Sequence, residues 1–126
     1  MAGLYSEIAE LYSTHDDYGK AVKYYKLSLK AKMSEAGIIH LGKCYIYKGE
    51  LRKARKILGR IFFEGLDELY RLEFLRTQAL LAIKTCDKEL AEDTIQKLSL
   101  LGTCNEYFEK QRKEIIDELR GQKWCV

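Results

Sequence analysis

Apolar residues recur along this chain at intervals of three, four and seven, with lysine, arginine and glutamate between them, and one succession of side-chain sizes returns at a fixed distance. Ile8-Ala9, Tyr12, Tyr18, Ala21, Tyr25 and Leu29 form the first series. Leu41-Gly42, Tyr45, Leu51, Ala54, Leu58 and Phe62 form the second, each member 33 residues after its counterpart (41 − 8 = 33). Such spacing lays an apolar stripe along an α-helix, and two helices per series make a hairpin. Ala9, Gly42, Ala21 and Ala54 fall where antiparallel helices must approach within about 8 to 10 Å, so a larger side chain there would hold the pair apart. A third series, Leu75, Ala79, Ala82, Ala91, Ile95 and Leu98, is looser. Ala91 follows Ala54 by 37 residues (91 − 54 = 37), with Gln78 and Lys88 at positions that are apolar in the earlier copies. The extra residues are expected in an extended turn at Phe63-Glu64-Gly65-Leu66-Asp67.

Start and stop chemistry divides the stripes. Asp17, Ser34 and Asp87 stand where helices must begin and are favoured N-cap residues. Gly49, Gly65 and Gly102 stand at the expected breaks, where freedom to take positive φ ends a helix. Thr103-Cys104-Asn105-Glu106 reads as a capping box opening a last helix that runs to about Arg120. Its apolar residues, Phe108, Ile115, Ile116 and Leu119, make one stripe on a charged background. Such a helix closes a stack with a polar back, or docks its stripe on a partner.

A period of about 33 to 34 residues, small residues at the crossings and aromatic positions between them resemble the tetratricopeptide repeat family. The resemblance covers most of the chain. It implies an all-α fold, a right-handed superhelical stack of helix-turn-helix hairpins with a C-terminal capping helix. One domain over 1–126 would hold repeat 1 at about 4–33, repeat 2 at about 35–64, a degenerate repeat 3 at about 68–101 and the capping helix at about 104–120. In that family the first helices line a concave groove that takes peptides. Matching positions are Glu7, Glu10 and Thr14 in repeat 1, Ile39, His40, Lys43 and Tyr47 in repeat 2, and Arg76, Thr77 and Leu80 in repeat 3. Family members that grip the acidic tails of heat-shock chaperones use Lys and Asn in the first helix. Here Ser6 and Glu10 hold those places, and Glu10 with Glu7 would repel a carboxylate.

Charge adds a second candidate surface. The net charge is +3, but residues 1–63 carry 12 basic and 6 acidic side chains, and residues 64–126 carry 10 and 13. The excess lies on the second helices of the first two repeats, which the resemblance puts on the convex side. Lys23, Lys26, Lys30, Arg52 and Lys56 form a basic ridge suited to an acidic protein. A ridge of solvated lysines without a ligand is the plainer reading, and nucleic acid is disfavoured because no base-reading motif accompanies the charge.

The remaining chemistry is sparse. The four cysteines, Cys44, Cys86, Cys104 and Cys125, are scattered without zinc or redox spacing. They fit the reduced thiols of a cytoplasmic or nuclear protein. The longest apolar runs fall short of the roughly 20 residues that cross a bilayer, and Met1-Ala2-Gly3 leads into the first repeat without a signal-peptide pattern, so no membrane association is expected. His15 beside Asp16-Asp17 reads as turn chemistry, and His40 has no matching nucleophile, so no catalytic residue, metal ligand or cofactor site is assigned. The absence of a leading cap suggests a piece of a longer repeat protein. The expected function is a non-catalytic scaffold or adaptor that presents its groove to a protein or peptide. The alternative is self-association into a homo-oligomer, through the last helix or an exposed hairpin face.

Overall fold

A computed structural model describes residues 2–102 and 105–124. Among the described residues there are seven α-helices, one 3₁₀ turn and no strand. The chain divides into two compact units, Met1–Gly65 and Leu66–Val126.

The first unit holds α1 (Ala2–Thr14), α2 (Tyr18–Ala31), α3 (Glu35–Lys48), α4 (Leu51–Leu58) and the 3₁₀ turn Phe63–Gly65. Each helix packs on the next, so α3 lies between α2 and α4. The expected caps form: the Asp17 carboxylate accepts from Lys20 N at 3.2 Å, and Ser34 Oγ accepts from Gly37 N at 3.0 Å. Gly49 ends α3 at φ 90°, a conformation that favours glycine. Ala9, Ala21 and Ala54 are fully buried. At Gly42 the fit is tighter still: a Cβ there would lie 2.6 Å from Leu58 Cδ2 and 2.7 Å from its Cγ. A glycine therefore lets α3 and α4 touch.

The second unit holds α5 (Glu68–Thr85), α6 (Lys88–Leu100) and α7 (Glu106–Arg120). Asp87 caps α6 as expected, accepting from Leu90 N at 3.1 Å. Leu75, Ala82, Ala91 and Leu98 are buried, as the third series requires. Gln78, out of character in that series, is buried too, and its Nε2 donates to Asp93 Oδ2 at 3.2 Å. A cross-helix hydrogen bond from α5 to α6 thus stands where the other copies carry an apolar side chain. Helix α7 packs on both α5 and α6, burying Phe108, Ile115 and Leu119. Three of the four stripe residues of the last helix are thus buried inside its own unit, and Ile116 is half-buried.

Several expectations are corrected. The helix starts preserve the period, α3 following α1 by 33 residues (35 − 2), α4 following α2 by 33 (51 − 18) and α5 following α3 by 33 (68 − 35), but α6 follows α4 by 37 (88 − 51). The extra residues therefore lie within α5, which has 18 residues against 14 in α3, and not in the turn before it. Helix α4 stops at Leu58, so Phe62 is 72% exposed outside it and does not continue the apolar face. Gly49 is the glycine with positive φ among the described residues; Gly65 closes the 3₁₀ turn, and α6 ends at Leu100 with Leu101, not Gly102, as its C-cap. Thr103 and Cys104 of the expected capping box lie outside the described residues, and Asn105 caps α7, accepting from Phe108 N at 2.8 Å. The cysteines are not alike: Cys44 is free and buried, whereas Cys86, at φ 55° at the end of α5, is disulfide-bonded. No described helix is long and apolar enough to cross a membrane.

Candidate functional site

Helix α3 carries the candidate surface of the first unit. Its buried arc is wide, spanning Ile38, Ile39, Leu41, Cys44, Tyr45 and Ile46, because helices lie on both sides of it. Apart from Glu35 and Lys48 at its ends, what remains exposed or half-exposed is Ala36, His40, Lys43 and Tyr47, at spacings of three and four and therefore on one face.

Two of these side chains are held by tyrosines from α2. The His40 ring stacks on Tyr25 at 5.7 Å and 16°, and the Tyr47 ring stacks on Tyr18 at 5.1 Å and 18°. Tyr18 is fixed in turn, its hydroxyl donating to Asp16 Oδ1 at 3.0 Å. Burial, helped by that hydrogen bond to a carboxylate, raises the Tyr18 phenol above its ordinary value. Tyr47 stays 45% exposed while its ring is pinned.

Helix α1 joins this surface. Glu7, Glu10 and Thr14 are exposed on it, with Thr14 Oγ1 donating to Glu10 O at 2.9 Å. Burial, with smaller contributions from Cys44 and the Glu10 carboxylate, pushes the Tyr25 phenol up to about 12. Burial likewise raises the Cys44 thiol, against the opposing pull of a Ser13 hydrogen bond and the Lys43 charge. The Glu10 charge therefore acts on the tyrosine that His40 stacks on, while Ser13 of α1 reaches Cys44 of α3.

Not every expected groove residue is available to a ligand. Ile39 is 2% exposed and Thr77 is 3% exposed, its hydroxyl donating to Glu73 O at 2.9 Å. Both are core residues, and their expected role in binding is corrected on that ground. Arg76 is half-buried, its guanidinium donating to Gln111 Oε1 of α7 at 2.6 Å and lying 3.9 Å from Glu73 Oε1. Leu80, four residues on, is half-buried. In the second unit, then, the expected cation of the groove is already engaged by the last helix. The roles of Tyr18 and Tyr25 as supports were not foreseen; their positions, two residues of the repeating apolar series, indicated only packing.

The basic residues Lys23, Lys26 and Lys30 on α2 and Arg52 and Lys56 on α4 are all exposed. Tyr45 of α3 links the two helices, with Lys26 Nζ and Lys53 Nζ each 5.9 Å from its ring centroid. Among the described residues no three His, Cys, Asp or Glu side chains converge on a point where a metal ion would sit. Compared with protein-family models, curated proteins and solved structures, the chain matches none.

Proposed function

We propose that the chain is a non-catalytic interaction module of tetratricopeptide-like character, and that a protein or peptide partner docks on the α1–α3 face of the first unit. The observation that carries this reading is the pair of stacked rings on α3. His40 and Tyr47, seven residues and about 10 Å apart along the helix, are exposed yet already held by Tyr25 and Tyr18. A side chain fixed before contact loses little rotamer freedom on binding, so more of its interaction energy appears as affinity. Exposed tyrosine with an anchored ring is also the side-chain type that dominates binding energy in protein interfaces. Around these anchors Glu7 and Glu10 offer negative charge and Lys43 positive charge, suiting an extended partner whose charges run in the complementary order.

The test is affinity capture by the full-length chain, comparing the wild type with a Lys43→Glu, Tyr47→Ala double variant. The double variant is expected to lose a defined partner by at least about tenfold while keeping its helical circular dichroism. Equal capture by both proteins would remove the α3 face from the reading.

A second reading, self-association, draws on three exposed apolar side chains of the second unit, Leu69, Leu100 and Tyr107. Sedimentation over a wide concentration range decides it, since a monomer throughout eliminates pairing.

A further inference from the structure

The basic residues of the first unit border two shallow hollows with apolar floors. One is lined by Gly19, Val22 and Leu27 together with Lys23, Lys26 and Lys30, all from α2. The other is lined by Tyr45 and Ile57 together with Lys53, Lys56 and Arg60. No carboxylate lines either hollow. They are neighbours, because Lys26 of the first stands over the Tyr45 ring that belongs to the second. Lys53 is partly compensated by Glu50 at 3.4 Å. Among the described residues no ion pair engages Lys23, Lys26, Lys30, Lys56 or Arg60. These five cations, three on α2, Lys56 on α4 and Arg60 just after it, border neighbouring hollows and repel one another, an arrangement that favours an anionic occupant.

The floors decide which anion. A nucleic-acid strand would need aromatic faces for its bases. Tyr45 is 5% exposed and its ring already carries two ammonium groups, so it offers no stacking platform. Leu27 and Ile57, both half-buried, offer instead what an aliphatic side chain needs, flanked by the charges a carboxylate needs. We propose that this strip binds an acidic amphipathic segment of a partner protein, with apolar side chains seated on Leu27 and Ile57 and carboxylates paired with the flanking lysines. The strip shares no residue with the α1–α3 face, so the two surfaces fail or succeed separately.

The experiment is fluorescence anisotropy on the full-length chain with a labelled synthetic peptide of alternating Leu and Glu pairs. Three competitors accompany it: the same peptide with Gln for Glu, a polyglutamate of equal length, and a single-stranded RNA oligonucleotide. The Leu/Glu peptide is expected to bind at least about tenfold more tightly than its Gln analogue and to weaken severalfold between about 50 and 300 mM NaCl. A Lys26→Glu, Lys56→Glu variant should lose at least about tenfold in affinity, while a Lys88→Glu, Lys110→Glu variant, altered on exposed lysines of the second unit, should bind as the wild type does. Both changes sit on exposed positions, and circular dichroism verifies the fold. Equal binding of the Gln analogue, or indifference to the Lys26 and Lys56 changes, would overturn the proposal. So would polyglutamate binding as well as the Leu/Glu peptide, or RNA binding more tightly than either.

Discussion

At Gly42 a single hydrogen in place of a methyl group sets how closely two helices approach. A Cβ would sit 2.7 Å from Leu58 Cγ, and Leu58 is itself buried, so the clash is not relieved by swinging a free side-chain end. Gly42→Ala is expected to destabilise the chain by about 1 kcal/mol, the middle of an overpacking cost of about 1–3 kcal/mol less about 1 kcal/mol of improved helix propensity. Gly3→Ala, with nothing within 4 Å of its added Cβ, should be neutral or mildly stabilising. Urea denaturation followed by circular dichroism checks both, and a Gly42→Ala protein as stable as the wild type would contradict the close approach. The small residues of the repeat were legible because their pattern is strict. The exposure of individual groove positions was less so. Ile39 and Thr77 were expected to face a ligand, yet α3 and α5 are buried around much of their circumference. A helix enclosed on several sides loses the polar stripe by which periodicity assigns faces.

Helix starts were legible at three side-chain caps, but Asp67, expected in a turn, caps α5, and Asn105 rather than Thr103 caps α7. Asp17, Ser34 and Asp87 cap as their residue types require, whereas Gly59 ends α4 with an ordinary right-handed conformation and no marked signal. The packing of α2 between α1 and α3 carries a pH dependence. The Tyr25 phenol stays protonated in the folded chain up to about pH 12, while a solvated tyrosine ionises near 10. Between those values the unfolded chain releases a proton that the folded chain retains, so this stability is complete below pH 10 and disappears as pH rises through 12. Cys44, raised above 9.0 by burial, starts the decline earlier. The unfolding free energy from urea denaturation should therefore hold steady from about pH 7 to 8.5 and fall from about pH 9 upward, by at most about 3 kcal/mol for Tyr25. Tyr25→Phe should flatten the upper part of the curve. An unfolding free energy unchanged to pH 11 would rule out this account.

On the scale of the whole chain, the sequence displays its charge asymmetry and repeat period openly, and the structure adds the division at Gly65. No proline or glycine-rich linker announced that division, since Leu66-Asp67 runs directly into α5. The first unit contains four helices packed in succession around Tyr25, Ile39, Leu41, Tyr45 and Leu58. Residues 1–65 expressed alone are expected to be helical and to melt cooperatively at a lower temperature than the full chain, because about 60 residues bury only a modest share of their surface. A gradual, non-cooperative loss of ellipticity would show that this unit needs the rest of the chain. Since both candidate surfaces of the first unit lie within this stretch, the fragment also isolates them from any contribution of the second.

The four residues by which α5 exceeds α3 have a geometric meaning. At about 100° per residue they advance the helix by one revolution plus about 40°, while lengthening it by about 6 Å. A side chain beyond the added stretch therefore points nearly where it would have pointed without it, and α6 still finds an apolar flank to lie against. Two extra residues would have turned that flank by about 200°, towards water. Length in such a helix is tolerated in steps close to a full winding, and this explains how the third copy drifted in spacing while keeping its alanines inside.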